Sequence, residues 1–325
     1  MSDQPLVLVL AAESDPQLAM LGNVPHVAGS TLDAFANAVS DAEAIFHWSG
    51  DRETLRQVFL AGPKVRWVHS RNAGLDSILF PELIESPVPL TNGSGVFSQS
   101  LGEFALAAIL FFAKDFGRML RNQRAQLWEQ FDVDEIAGQT VGIVGYGDIG
   151  REVASRAKAM GMKVLALKRH APAEPDSLPA KGEPIIERFY APRQILEMLA
   201  LSDYVVVAAP LTSETRYMVS DAEFEAMKPS AVVINVGRGP VIDQAALVRA
   251  LAARKIRGAG LDVFEQEPIP AGDPIWSLDN VLISPHTADH TATWLNRAMQ
   301  FFLEQYERFC KGQPLENVVN KRLGY

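Results

Sequence analysis

Cysteine is nearly absent: Cys310 is the single one among 325 residues. No intrachain disulfide can form, and a reducing, cytoplasmic setting is the expectation. Positive charge is scarce as well. Thirty Lys and Arg against 39 Asp and Glu leave a net charge of -9, with no basic run to attract nucleic acid or an anionic membrane surface. Long apolar runs are missing too. Met1–Pro5 carries Asp3 and no basic cluster, and the apolar Leu6–Ala12 is too short to span a bilayer. It reads as a first core strand, so neither an export leader nor membrane association is expected. There is no internal repeat and no low-complexity tract, and no metal site is expected. What remains is ordinary globular composition, 48% hydrophobic and 21% charged, in a chain long enough for two domains.

The organising stretch is Val141–Gly150, VGIVGYGDIG. Val141, Ile143 and Val144 suit a buried parallel strand, and Gly145, Gly147 and Gly150 follow in GxGxxG spacing. Gly145 permits a tight turn, Gly147 lets backbone approach a pyrophosphate, and Gly150 allows the next helix to pack on the strand. A helix from about Ile149 to Met160 points its N-terminal N–H groups at the phosphates, and Lys163–Leu167 supplies the second strand of a βαβ unit. The glycines alone are also compatible with a purely structural turn. Their position between strand and helix favours dinucleotide binding.

The motif lies mid-chain, so a separate small α/β layer is expected before it. Leu6–Leu10, Ala44–Trp48, Val65–His69 and Val88–Thr91 read as its strands, and Asp51–Ala61 as an amphipathic helix. From Gln99 to Gln123 the pattern is one long helix, apolar on most faces. It is expected either to cross between domains and meet a partner subunit, or to be a plain core helix. His170–Pro184 reads as a surface loop. Tyr204–Ala209, Ala231–Asn235, Ala259–Asp262 and Val281–Ser284 bring the strands of the second layer to six, with a capping-box helix at Ser220–Met227. A last helix, Thr291–Cys310, is expected to return to the first domain. The fold class is thus α/β, with two doubly wound parallel sheets of Rossmann-like and flavodoxin-like kind.

Ligands of such sheets bind at the carboxyl ends of strands. Arg238 follows the fourth strand of the second layer, Glu267 the fifth and His286 the sixth. The three suit carbonyl reduction. Hydride delivered to a ketone carbon leaves negative charge on oxygen, which needs a proton donor, and histidine titrates nearest neutrality. Glu267 would favour the protonated imidazole, and Arg238 can grip a carboxylate with two parallel N–H bonds. The substrate class is then a small 2-oxo acid and its 2-hydroxy acid. Taken singly, Arg238 fits a surface turn, Glu267 a solvated loop and His286 a satisfied core position; the joint placement favours the chemistry.

RNAGLD at Arg71–Asp76, NGSG at Asn92–Gly95, Glu103, GYGDIG, PLTSET at Pro210–Thr215, NVGRG at Asn235–Gly239, LDVFEQEP at Leu261–Pro268 and PHTA at Pro285–Ala288 together resemble the D-isomer-specific 2-hydroxyacid dehydrogenases, and within them the glyoxylate/hydroxypyruvate reductases. The resemblance covers nearly the whole chain. It implies a discontinuous substrate domain, residues 1–100 and 291–325, around an inserted cofactor domain, 101–290, and a homodimer with the long helix as candidate interface. It implies Arg238, Glu267 and His286 as the catalytic set, and Ala73 and Gly74 as backbone receivers of the substrate carboxylate. Tyr146, Asp148 and Ile149 would lie with the three glycines at the pyrophosphate. Pro210 and Thr215 would border the ribose, and Val236 and Asp262 would orient the nicotinamide amide. Trp48 and Arg71 would face substrate, their plainer readings being a core tryptophan and a surface arginine.

Two departures matter. Where an acid would hold a ribose 2′-OH, the chain has Lys168, Arg169 and His170, which attract a 2′-phosphate. NADP(H) is therefore expected to be preferred, with NAD(H) still usable; the plainer reading is exposed strand-end charge. Asp289 and His290 follow Ala288, where a small residue is usual. Asp289 is either a supporting partner of the site or a restriction of its pocket. Rival expectations are a formate- or phosphite-type dehydrogenase and a non-catalytic dinucleotide-sensing protein. The latter wants an interaction tail, for which a chain ending at Tyr325 leaves little room.

Overall fold

A computed structural model describes residues 4–169 and 186–325. The chain divides into two compact units, one formed by residues up to Phe97 with His290–Tyr325, the other by Ser98–Asp289. The first holds strands β1 (Val7–Leu10), β2 (His26–Gly29), β3 (Ala44–His47), β4 (Trp67–Ser70) and β5 (Leu90–Asn92). The second holds β6 (Thr140–Val144), β7 (Lys163–Leu167), β8 (Arg188–Tyr190), β9 (Tyr204–Val207), β10 (Val232–Asn235), β11 (Gly258–Leu261) and β12 (Val281–Ile283). In chain order the helices are α1 (Arg52–Ala61), α2 (Pro81–Glu85), α3 (Ser98–Ala113), α4 (Phe116–Arg124), α5 (Asp148–Ala159), α6 (Ile195–Leu201), α7 (Asp221–Ala226), α8 (Gln244–Ala252) and α9 (Trp294–Cys310).

Both sheets are wholly parallel. The first runs β2-β1-β3-β4-β5, the flavodoxin-like order; the second runs β12-β11-β10-β9-β6-β7-β8, so its order reverses between β6 and β9. The two faces of the second sheet follow from the pleat. Val141, Ile143, Tyr204, Val206, Val232 and Ile234 point to the side covered by α3 and α5, while Val144, Val205, Val207 and Val233 point to the side covered by α6, α7 and α8. Burial on both faces is why these strands are unbroken apolar runs. In the first unit, α9 lays Phe302 on the sheet, stacked on Phe46 at 3.9 Å and on Trp67 at 5.5 Å. Leu8, Leu10, Ile45, Val68 and Leu90 face α1 on the other side.

Several expectations need correction. The first sheet has five strands, not four, and the second seven, not six. The additions, β2 and β8, are edge strands whose residues stay half-exposed or carry charge, so they lack the apolar run that marks the central strands. The long helix is two helices. Asp115 adopts a left-handed conformation, φ 49°, and its side chain accepts the Arg118 N–H at 3.2 Å, ending α3 and capping α4. α3 belongs to the second unit, its buried Ala105, Ala108, Ile109 and Phe112 packed with Val153, Ala154 and Ala157. α9 starts three residues later than expected, at Trp294. The His170–Pro184 loop expectation lies outside the described residues. Among the described residues no helix is long and apolar enough to cross a membrane, and no three metal-ligating side chains gather.

Candidate active site

In the second unit, three strand ends converge. β10 finishes in Asn235, whose buried amide accepts the Gly237 N–H and donates to the Arg238 carbonyl, both at 3.1 Å. Arg238 Nη1 donates to the Gly237 carbonyl at 2.9 Å. Gly239 then passes against the Phe264 carbonyl so closely that a Cβ would land on it. The loop bearing Arg238 and the loop bearing Glu267 therefore touch through backbone. After β11, Glu267 turns back: its Oε1 accepts the Phe264 N–H at 2.8 Å, and its Oε2 meets His286 Nδ1 at 2.6 Å. His286 sits at φ 54°, a conformation that costs a non-glycine residue energy and so needs an external hold. Asp262 provides it. The carboxylate is 1% exposed, and its Oδ1 accepts Ser284 Oγ at 2.5 Å and the Thr287 and Ala288 N–H groups at 3.0 and 3.1 Å.

Electrostatics follows geometry. The hydrogen bond from Glu267 raises the His286 pKa above 6.5 despite partial burial, helped by the charges of Glu267 and Asp262 and opposed by Arg238. Burial pushes Glu267 upward, but the hydrogen bonds from His286 and Phe264 and the charges of His286 and Arg238 outweigh it, and the net shift is down. With Nδ1 bonded to Glu267, Nε2 is the nitrogen left for a substrate, on a side chain that is 45% exposed.

The glycine turn fits a dinucleotide. Gly145, at φ 100°, lies where a Cβ would come within 2.6 Å of the Ala209 nitrogen, so only glycine makes this turn. Gly147 is the N-cap of α5 and has nothing within 4 Å of a would-be Cβ, so the turn is open on that side at the start of the helix. Gly150 packs on the Gly145 carbonyl. Tyr146 is turned inward, 5% exposed and edge-on to Phe189, so only its backbone belongs to the turn's open side. Lys168 and Arg169 follow β7, with the Lys168 N–H bonded to the Tyr190 carbonyl at 3.0 Å. Arg169 pairs with Glu214. His170 lies outside the described residues. Pro210 and Thr215 are one turn, closed by a 2.6 Å bond from Thr215 Oγ1 to the Pro210 carbonyl. Val236 is buried at the end of β10.

The expected substrate residues stand in the first unit. Trp48 is 1% exposed and donates Nε1 to Asp15 at 2.7 Å, so its ring is core. It holds Arg71, whose guanidinium lies 4.8 Å from the Trp48 ring and 5.3 Å from the Trp294 ring. His290 stacks on Trp294 at 4.2 Å. Ala73 and Gly74 are half-buried, the Ala73 carbonyl fixed by Asn92 Nδ2 at 2.7 Å. Sequence reasoning missed Asn235, Ser284 and Trp294. An asparagine closing an apolar strand before two glycines was a readable signal for Asn235; Trp294 had none, because its partner lies 223 positions earlier.

The model of the D-isomer specific 2-hydroxyacid dehydrogenase NAD-binding domain matches residues 106–288. A glyoxylate reductase of Korarchaeum cryptofilum is 35% identical over 274 residues, 82% of this chain and 80% of the relative. A D-isomer specific 2-hydroxyacid dehydrogenase from Xanthobacter autotrophicus Py2, solved with NADPH and MES, is 28% identical with a TM-score of 0.83, covering 99% of this chain and 100% of that one. An NADPH-dependent glyoxylate/hydroxypyruvate reductase from Sinorhizobium meliloti, solved with NADP and sulfate, is 25% identical with a TM-score of 0.83 over the same shares. The chain belongs to the D-isomer-specific 2-hydroxyacid dehydrogenase family and is an NAD(P)-dependent oxidoreductase of 2-oxo and 2-hydroxy acids.

Proposed function

We propose that the chain works as a reductase of small 2-oxo acids such as glyoxylate, hydroxypyruvate and pyruvate-like compounds, with NADPH preferred and NADH accepted. The observation that carries this is the His286–Glu267 pair beside Arg238, a proton donor and a carboxylate grip on neighbouring loops. The names of the glyoxylate reductase relatives, and the NADPH and NADP bound to similar structures, support the substrate class and cofactor.

The nicotinamide, when bound, supplies the hydride. Arg238 holds the substrate carboxylate and shares its charge with the Ala73 and Gly74 N–H groups. His286, protonated through Glu267, gives its Nε2 proton to the carbonyl oxygen as negative charge gathers there. Gly145, Gly147, Gly150, Asp148 and Ile149 receive the pyrophosphate, and Lys168, Arg169 and His170 the 2′-phosphate. Pro210 and Thr215 border the ribose. Val236 and Asp262 orient the nicotinamide amide, Asp262 having Oδ2 to offer because Oδ1 serves the His286 loop. Arg71 meets the substrate, with Trp48 acting through it. Ser98–Asp289 is then the cofactor domain and the other unit the substrate domain.

The same proposal makes the chain a cytoplasmic homodimer. Supporting it are an exposed single thiol, Cys310, and an apolar surface on α4 and the segment after it, where Leu120, Leu127 and Val133 are exposed and Trp128 is 94% exposed. Sedimentation as a monomer at micromolar concentration would remove the dimer.

Initial rates of NADPH and NADH oxidation against glyoxylate, hydroxypyruvate, pyruvate, phenylpyruvate and 2-oxoisocaproate test the rest. Turnover is expected with NADPH above NADH. Equal or better efficiency with NADH overturns the preference. Silence with both, in protein that binds cofactor, overturns the reductase and turns attention to formate or phosphite.

A further inference from the structure

Of the three residues proposed to receive the 2′-phosphate, Arg169 is already engaged. Its Nε donates to Glu214 Oε2 at 2.9 Å, and Nη2 closes on the same oxygen. The turn that carries Glu214 is itself well tied. The Thr212 N–H donates to Thr215 Oγ1 at 2.8 Å, the Glu214 N–H to Thr212 Oγ1 at 3.3 Å, and Thr215 Oγ1 to the Pro210 carbonyl at 2.6 Å. These bonds fix the backbone from which the Glu214 side chain reaches Arg169. The topology matters equally. Arg169 follows β7 and Glu214 follows β9, and these strands flank β6 on opposite sides. The ion pair therefore spans the carboxyl end of the strand that carries the glycine turn.

We propose that Glu214 is a specificity-determining residue for the cofactor: its carboxylate takes the guanidinium edge that a 2′-phosphate would use, and repels that phosphate, holding the preference for NADP(H) below what Arg169 alone would give. This rests on the reading that Arg169 meets the 2′-phosphate. A guanidinium edge makes two parallel bonds to one oxyanion at a time. A phosphate arriving there displaces Glu214 or lies within a few ångströms of its negative charge. The pair is solvent-facing, Glu214 being 64% exposed, so its loss alters recognition and not folding.

The test is calorimetric binding of adenosine 2′,5′-bisphosphate and adenosine 5′-monophosphate, which differ only in the 2′-phosphate, to the intact protein. Wild type is expected to bind the bisphosphate more tightly. Glu214→Gln should tighten the bisphosphate by about threefold to tenfold, the effect of one unit charge a few ångströms away in a solvent-facing site, and leave the monophosphate within about twofold. Glu214→Lys should tighten it further, and the gain should shrink in high salt, which a merely structural role would not produce. Arg169→Met should remove most of the discrimination. If Glu214→Gln leaves the bisphosphate unchanged or weaker while wild type still discriminates, the role of Glu214 is wrong and the cofactor reading stands. Equal binding of both nucleotides by wild type and by Glu214→Gln alike overturns both.

Discussion

Two histidines at parallel sheets meet opposite fates. His69 lies within β4, fully buried among the rings of Phe46, Trp67, Phe301 and Phe302, its Nδ1 bonded to Thr91 Oγ1 at 2.7 Å. Burial alone drives its pKa to about 3, so it is neutral. His286 lies beyond the end of β12, against a carboxylate, and its pKa is raised. The side chain is the same. A strand interior offers rings and a hydroxyl, whereas a strand end offers loops that can bring Glu267 and Asp262 near and leave one nitrogen open. Chemistry is possible at only one of them.

The sharpest way to break that contrast is to delete each imidazole. His286→Ala is expected to lower turnover by roughly a thousandfold, as for loss of a general acid, with cofactor binding retained in a fluorescence titration. His69→Ala is expected to leave kcat within about twofold and to cost about 2–4 kcal/mol of stability by urea unfolding, as for a buried ring replaced by a cavity. Loss of turnover in folded His69→Ala protein would undo the comparison.

Acidification probes the neutral member. Because the folded pKa of His69 is depressed, its stabilising share is complete above the ordinary value of 6.5 and is lost as pH falls from there toward about 3. The slope is about 1.4 kcal/mol per pH unit for one proton. A His69→Gln variant, compared with wild type by chemical denaturation between these limits, should lack that slope.

The charged member is sharpened by Glu267→Gln. The raised pKa keeps His286 protonated below it, so oxo-acid reduction should fall as pH rises through that value. Without Glu267, burial and Arg238 both push the pKa down, so the alkaline limb of kcat/KM should move to lower pH, and the rate at pH 7.5 should drop about tenfold or more. Asp262→Asn is the mildest change. It removes a weaker raising charge, so the limb should move the same way by less, with about a threefold loss of rate. An unmoved limb in Glu267→Gln would mean that another group supplies the proton.

Much of this was legible in the sequence, for a physical reason. Central parallel strands are buried on both faces and must be apolar runs, so the strand starting at Val141 and those at Tyr204 and Val232 announce themselves, and residues just past them inherit the candidate site. β2 and β8 escaped because an edge strand needs no such run. The helix break at Asp115 escaped because a left-handed aspartate inside an apolar stretch has no periodic mark. The approach of Arg71 to both the Trp48 and Trp294 rings joins parts of the chain far apart in sequence, which no local pattern encodes.

The contact of Gly239 with the Phe264 carbonyl has a consequence for how such an enzyme can vary. Because the loop that bears Arg238 and the loop that bears Glu267 meet main chain to main chain, the span between them is set at that point by backbone and not by side chains. Variation can lengthen, widen or recharge the surroundings without detuning that span. A single methyl group at residue 239 would shift both loops at once. The placing of Arg238 relative to Glu267 is therefore set by backbone within the second unit.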